Sequence, residues 1–226
     1  MVRHATLAID GPAGAGKSTV ARALAKRLRY RYIDTGAMYR GLTLRALEAR
    51  LSLPDDEQRL LQLAQSIRFE FRDIAEGSRL YLDGDDVSHR IRQGDVERLT
   101  PTVAASALVH EYMAEVQREL ATAGGVVMEG RDIGTVVLPD ADLKIFLTAS
   151  IEERVRRRLT QLSETGIAPD RELLAREIAE RDRRDMTRAV APLRRATDAI
   201  ELNTDCMPVD AVVSAICLLI AGVSGE

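Results

Sequence analysis

The sequence predicts an α/β fold, a parallel sheet covered by helices. Three observations predict it. Short, nearly continuous apolar runs recur along the 226 residues, at "ATLAID" (5–10), "YRYID" (30–34), "GVVMEG" (125–130), "LKIFLT" (143–148) and "AIELNT" (199–204), as strands buried on both faces do. Between them lie segments with apolar residues at three- and four-residue steps, such as Val20, Leu24 and Leu28, the period of a helix packed on one side. Finally, the first run ends in a glycine-rich loop that leads straight into such a helix.

That loop, "GPAGAGKS" from Gly11 to Ser18, fits G-x-x-x-x-G-K-[ST] at every defined position. Strand before and helix after are the context in which the pattern becomes a P-loop. Glycines let backbone N–H groups close on phosphate oxygens with no Cβ in the way. The helix N-terminus adds its dipole. Lys17 supplies a compact charge for the β/γ-phosphates and Ser18 a hydroxyl for Mg²⁺. Residues Gly11, Pro12, Ala13, Gly14, Ala15, Gly16, Lys17, Ser18 and Thr19 are therefore expected to hold a nucleoside triphosphate.

Two segments break the β-α rhythm. "IRFEFRDIAEGSRLYLDGDDV" (67–87) alternates apolar and polar residues twice around a Glu-Gly-Ser turn, which reads as an antiparallel hairpin foreign to a parallel core. It marks an inserted subdomain at about 35–100. The second is 150–170. Ser150 and Glu153 form a capping box that opens a helix carrying Arg154, Arg156, Arg157 and Arg158, ended by "ETGIAP" (164–169). Further on, Arg181, Asp185 and Arg188 stand at i, i+4 and i+7, one face of a helix that Pro192 stops. The apolar stretch 211–223 spans thirteen residues, too short for a membrane span, and reads as a buried C-terminal helix.

Composition narrows the function classes. Hydrophobic content of 46% with 30% charged residues describes a soluble globular chain, and the net charge of −3 argues against a general nucleic-acid surface. Cys206 and Cys217 lie eleven residues apart with no CxxC pattern, so buried free thiols are expected, not a metal site or a disulfide framework. The N-terminus reaches its glycine loop after one five-residue apolar run, too short for a signal peptide. A cytoplasmic protein is expected.

The arginines fall in distinct places. Arg40 ends "DTGAMYR" (34–40) after the second run; Arg131 and Asp132 lie in "EGRDIG" (129–134) at the carboxyl end of the third, the edge where open α/β sheets bind ligands. "RDRRDMTR" (181–188) brings arginines and acids together again. Arginines clamp phosphate bidentately, while carboxylates accept from ribose hydroxyls or an exocyclic amine. A nucleoside monophosphate offers all of these groups. Arg156 reads as a solvated ion-pair residue.

With these motifs in hand the chain resembles the bacterial cytidylate kinases over nearly its whole length. The likeness rests on "IDGPAGAGKST", "DTGAMYR", "LDGDDVS" with "IR" soon after, "EGRDIGTVVLPDADLKIFLTAS", "ERVRRRLTQL" and "ERDRRDMTRAVAPL". It implies a P-loop core (1–34, 101–149 and 171–226), an inserted α+β monophosphate-binding subdomain (35–100) and a short lid (150–170). It implies a monomeric enzyme that takes ATP and Mg²⁺ and phosphorylates CMP or dCMP. Thr35, Arg40, Arg131, Asp132, Arg181, Asp185 and Arg188 are implied acceptor residues: Arg40 and Arg131 at the phosphate, Asp185 with Arg181 at the ribose, Asp132 with Arg188 at the cytosine. Arg154, Arg157 and Arg158 are implied lid residues, Arg158 the one that neutralises the transferring phosphoryl alongside the catalytic Lys17 and Arg131.

Two positions depart from the family pattern near the cytosine. His110 stands where the family has arginine, and Pro101 where it often has serine, flanked by Thr100 and Thr102. Thr102 and His110 are thus the residues on which base choice turns, with UMP or dTMP as alternative acceptors. A nucleotide-dependent switch is the alternative from another class, although a guanine-specific N-K-x-D box is absent from the sequence.

Overall fold

The computed structural model describes residues 4–74, 77–163 and 170–223. In chain order these form β1 (Thr6–Asp10), α1 (Lys17–Leu28), β2 (Arg31–Asp34), α2 (Thr35–Glu48), α3 (Glu57–Ser66), β3 (Phe69–Ile74), β4 (Gly77–Leu82) and β5 (Asp85–Asp86). Then follow α4 (Gly94–Ala105), α5 (Ala107–Ala121), β6 (Val126–Gly130), β7 (Leu143–Thr148), α6 (Ile151–Ser163), α7 (Arg171–Thr187), β8 (Ile200–Asn203) and α8 (Val209–Val223).

The five apolar runs become one parallel sheet in the order β2-β6-β1-β7-β8. Alternation along each strand sends successive side chains to opposite faces, and two cores result. Ala8, Val126 and Met128 face one that includes Met38 and Leu42 of α2 and Met113 of α5. Leu7, Ile9 and Val127 face the other, with Leu24 of α1 and Ile216 of α8. No helix of the described residues is long and apolar enough to cross a membrane.

The hairpin is present. β3 and β4 pair antiparallel and β5 adds a third strand. Its apolar side, Phe69, Leu80 and Leu82, joins the first core, so the small sheet is built onto the parallel one through α2. The turn is displaced from the Glu-Gly-Ser reading: Gly77 and Ser78 already pair with Ile74 and Asp73, and Glu76 lies outside the described residues. The expected boundary at residue 100 falls within α4.

Three further readings are corrected. The helix bearing Arg181 and Asp185 ends at Thr187, with Arg188 extended at φ −60°, ψ 143°, well before Pro192. The chain leaves the helix there because the Leu193 N–H folds back to the Asp185 carbonyl at 2.8 Å, with Ala191 at φ 43° completing the bend. Helix α8 is amphipathic, not buried throughout: Val212, Val213 and Ile216 are inside but Leu218 is 76% exposed. Cys206 is exposed in the turn after β8, whereas Cys217 is partly buried; both are free thiols. The "ETGIAP" stop lies outside the described residues.

The glycine loop is anchored where β1 meets its neighbour β7. Gly11 takes φ 148°, and a Cβ there would come within 2.1 Å of the Leu147 carbonyl oxygen. That oxygen belongs to a central strand and cannot retreat without opening the sheet. We therefore expect Gly11→Ala to destabilise the protein by at least about 2 kcal/mol, the scale of overpacking in a rigid core. Urea unfolding measures it, and a midpoint unchanged from the parent contradicts this account of the loop.

Candidate functional site

The five parallel strands all end at one edge of the sheet, where α1, α2 and α6 begin. Gly16 caps α1 in the left-handed region at φ 91°, so the helix opens at Lys17 with its free N–H groups turned into the loop. The Lys17 side chain is buried and donates to the Pro12 carbonyl at 2.8 Å. Burial holds its ammonium well below the ordinary range; Arg131 and Arg181 add to this, while Glu129 and Asp10 oppose it.

The acids around that lysine were not among the expected site residues. Asp10, the last residue of β1, is buried and accepts from the N–H groups of Ile133 and Gly134 at 2.8 and 2.7 Å. It thereby caps the single π-helical turn Ile133–Val137, a form of helix concentrated at functional sites. Burial raises its carboxyl to about 6, against the pull of those two N–H groups. Glu129, near the end of β6, is buried and accepts from the Tyr32 hydroxyl. Burial and then the charge of Asp34 push its carboxyl up; Lys17 and the Ser18 hydroxyl act in the other direction. The signal was available: Asp10 and Glu129 are charged residues closing otherwise apolar runs, and a buried charge needs partners.

The residues expected on the acceptor side are tied together mostly through each other. Asp34 caps α2 by accepting from the Ala37 N–H at 2.8 Å, and its second oxygen holds Arg40 at 3.0 Å. Thr35 donates to the Glu129 carbonyl at 2.8 Å. Arg131 Nε donates to Asp185 at 2.7 Å, which ties the end of β6 to α7. Arg181 is exposed to solvent, yet desolvation by the surrounding chain, then Arg131, hold its guanidinium below the ordinary range, with Arg40 a smaller cause. Arg188 reaches Asp132 at 3.5 Å, and Asp132 lies 3.3 Å from His110. Thr102 is half-buried on α4, and among the described residues no hydrogen bond connects it with His110 or Asp132.

The arginines of α6 divide by their contacts. Arg154 is buried, donates to the carbonyls of Ala13 and Ala149, and pairs with Asp182 of α7 at 2.7 Å. Arg157 donates to Glu153 and to Thr204, and its NH1 lies 3.5 Å from the Gly14 carbonyl. Both grip the backbone of the glycine loop. Arg158 is exposed and, among the described residues, has only a 3.5 Å contact to Gln161. Arg156 is exposed but pairs with the carboxylate of the buried Glu153. The capping box is half formed: the Glu153 N–H donates to the Ser150 hydroxyl, but the Ser150 N–H goes to Asp205 instead. Two arginines, 156 and 157, hold the Glu153 carboxylate away from that cap.

A family model described as cytidylate kinase matches residues 7–221. The chain is 48% identical to the cytidylate kinase of Bacillus cytotoxicus over 221 residues, 98% of each chain. It is equally similar, 48% over 223 residues and 99% of each chain, to that of Bacillus cereus strain B4264. Among solved structures, a shikimate kinase from Bacteroides thetaiotaomicron shares the fold at TM-score 0.51 and 16% identity, covering 96% of this chain and 98% of its own. An uncharacterized protein from Eubacterium ventriosum does so at TM-score 0.52 and 13% identity, covering 97% and 99%.

Asp10 makes the stability depend on pH in a defined direction. The native carboxyl keeps its proton up to about pH 6, whereas the unfolded chain releases it near the ordinary 3.8. Between these values the native state binds more protons, so stability contributed by this group falls as pH rises through about 4 to 6. The full effect is on the order of 3 kcal/mol. Asp10→Asn should remove that downward slope from urea unfolding measured at fixed pH steps. An identical slope in the variant places the titration elsewhere.

Proposed function

This chain belongs to the cytidylate kinase family, and from that premise we propose how its residues transfer the γ-phosphoryl group of ATP to CMP or dCMP, giving ADP and CDP or dCDP. The observation that carries the reading is the gathering of cations at one sheet edge. Arg131 and Arg181 stand close enough to disfavour the charge of Lys17, and Arg131 and Arg40 that of Arg181. Such a cluster is relieved by a polyanion, and the glycine loop beside it is shaped for phosphate.

In this reading the triphosphate lies along Gly11–Thr19, and Lys17 meets its β/γ-phosphates. Arg154 and Arg157 serve the donor through the loop backbone that they hold, while Arg158 is free to turn toward the transferring group. On the acceptor side Arg40 and Arg131 bind the monophosphate, Asp185 and Arg181 the ribose, and Asp132 with Arg188 the base. Thr35 lines the acceptor cleft, His110 belongs to the base pocket, and Thr102 stands at its margin on α4. The core comprises 1–34, 101–149 and 171–226, the acceptor subdomain 35–100 and the lid 150–170. The enzyme acts as a cytoplasmic monomer.

Mg²⁺ fits the oxygen donors next to the loop, because the Ser18 hydroxyl and the buried Glu129 carboxylate already act on one another and this ion takes hard oxygen ligands. When bound, it supplies positive charge to the phosphates. The chemistry asks little else of the protein. An acceptor phosphate oxygen forms the new P–O bond as the β–γ bridge breaks to ADP. That oxygen is already anionic, so no strong general base is required. Positioning and electrostatic stabilisation do the catalysis, and closure of the α6 arginines excludes competing water.

Lys17→Ala should lower kcat by at least about a hundredfold with the fold intact, the scale of losing a preorganised electrostatic contact. Coupled ADP release with CMP measures it, and a near-normal rate removes Lys17 from the mechanism. Asp185→Ala should raise KM for CMP by roughly tenfold or more while KM for ATP moves little. A shift confined to ATP transfers α7 to the donor site.

A further inference from the structure

His110 and Asp132 leave an unanswered demand in the base pocket. Each is only 7% exposed. His110 Nε2 and Asp132 Oδ2 lie 3.3 Å apart, yet no hydrogen bond joins them, and neither atom has any other partner among the described residues. Buried polar atoms are nearly always satisfied, so two of them side by side and unbonded call for a third group that meets both. Asp132 Oδ1 is already engaged by Arg188, which leaves Oδ2 as the free acceptor.

What Nε2 offers depends on its tautomer, and the other ring nitrogen decides that. His110 Nδ1 lies 2.8 Å from the Tyr39 hydroxyl, with the two rings nearly parallel at 11°. A hydrogen on Nδ1 would turn the Nε2 lone pair toward the Asp132 carboxylate, two acceptors in contact. A hydrogen on Nε2 avoids this and lets the Tyr39 O–H donate to Nδ1. The phenol keeps its proton: burial, and then the negative charge of Asp132, push its pKa up.

We propose that Tyr39 is a positioning residue for base selection: its hydroxyl donates to His110 Nδ1, so that Nε2–H and Asp132 Oδ2 present one donor and one acceptor, side by side, to the pyrimidine edge. The proposal rests on the pyrimidine-monophosphate reading above and specifies how its base is chosen. Cytosine meets the pair with its exocyclic amine donating to Oδ2 and its ring nitrogen N3 accepting from Nε2–H. Uracil presents a carbonyl and an N–H at the same two places, so both contacts become like against like. A site that leaves buried polar groups unpaired with the wrong ligand discriminates strongly. Histidine at this position can therefore select cytosine, provided that Tyr39 holds its tautomer.

Two measurements test this. The first is the ¹⁵N spectrum of the imidazoles in the full-length protein, which has three histidines, with His110 assigned from its absence in His110→Gln. We expect Nδ1 unprotonated and Nε2 protonated; hydrogen on Nδ1, alone or on both nitrogens, overturns the proposal. The second is steady-state kinetics with CMP and UMP. Tyr39→Phe should raise KM for CMP by roughly five- to tenfold, the scale of one lost hydrogen bond, and narrow the CMP/UMP ratio of kcat/KM. Its kcat and KM for ATP should stay within about twofold. In a His110→Gln background, where the amide has no tautomer to set, Tyr39→Phe should add no further loss of discrimination. An equal loss in both backgrounds, or unchanged KM for CMP, overturns the role of Tyr39. If the parent enzyme shows the expected tautomer but turns over no pyrimidine monophosphate, the underlying reading fails and the base contact with it.

Discussion

The carboxylate of Asp10 joins the two halves of this site. It closes β1 one residue before the glycine loop, and its oxygens hold the N–H groups of Ile133 and Gly134, immediately after Arg131 and Asp132. The glycine loop and the Arg131–Asp132 segment thus hang from opposite sides of one buried side chain. That the group is costly to ionise is the consequence of placing it there. Two backbone N–H donors offset part of the burial, but its carboxyl still stands at about 6. A neutral apolar residue in this place would leave the first N–H groups of the π-helical turn without acceptors and Arg131 without a fixed origin.

Charge pairing sets the remaining geometry. Arg40 lies on Asp34, Arg131 on Asp185 and Arg154 on Asp182, at 2.7 to 3.0 Å. The last two pairs both end on α7, one turn apart, so this helix receives a contact from the end of β6 and another from α6. Arg154 also holds the Ala13 carbonyl of the glycine loop. A movement of α7 therefore reaches both the glycine loop and the end of β6 through side chains that are at most partly exposed, where such pairs are less screened than on the surface. The exposed pair of Arg183 with Glu180 contributes little by comparison.

Most of the fold was legible in the sequence because it rests on local signals. All five apolar runs became strands within a residue of their expected ends, since burial on both faces demands near-continuous hydrophobicity. The glycine loop was legible for a different reason: only glycine suits the approach of Gly11 to Leu147. What escaped reading depends on contacts distant in sequence. Helical spacing extended α7 through Arg188, but the return of Leu193 to the Asp185 carbonyl ends the helix first. The Ser150–Glu153 box looked complete, but Asp205, 55 residues away, takes the Ser150 N–H. Asp10 and Glu129 were hidden by the apolar runs that they close, where strand periodicity treats an acid only as a boundary.

The same distinction governs specificity. Histidine at a position where the family pattern has arginine reads, residue by residue, as a loss of reach and of charge. In the fold, His110 on α5 meets Tyr39 on α2 and Asp132 beyond β6, three elements brought together only by the first core. An arginine carries donors alone and cannot be switched. An imidazole offers a donor or an acceptor at Nε2 according to what its other nitrogen meets. In the pocket we propose, part of base recognition therefore rests not on the residue that contacts the base but on the hydroxyl behind it.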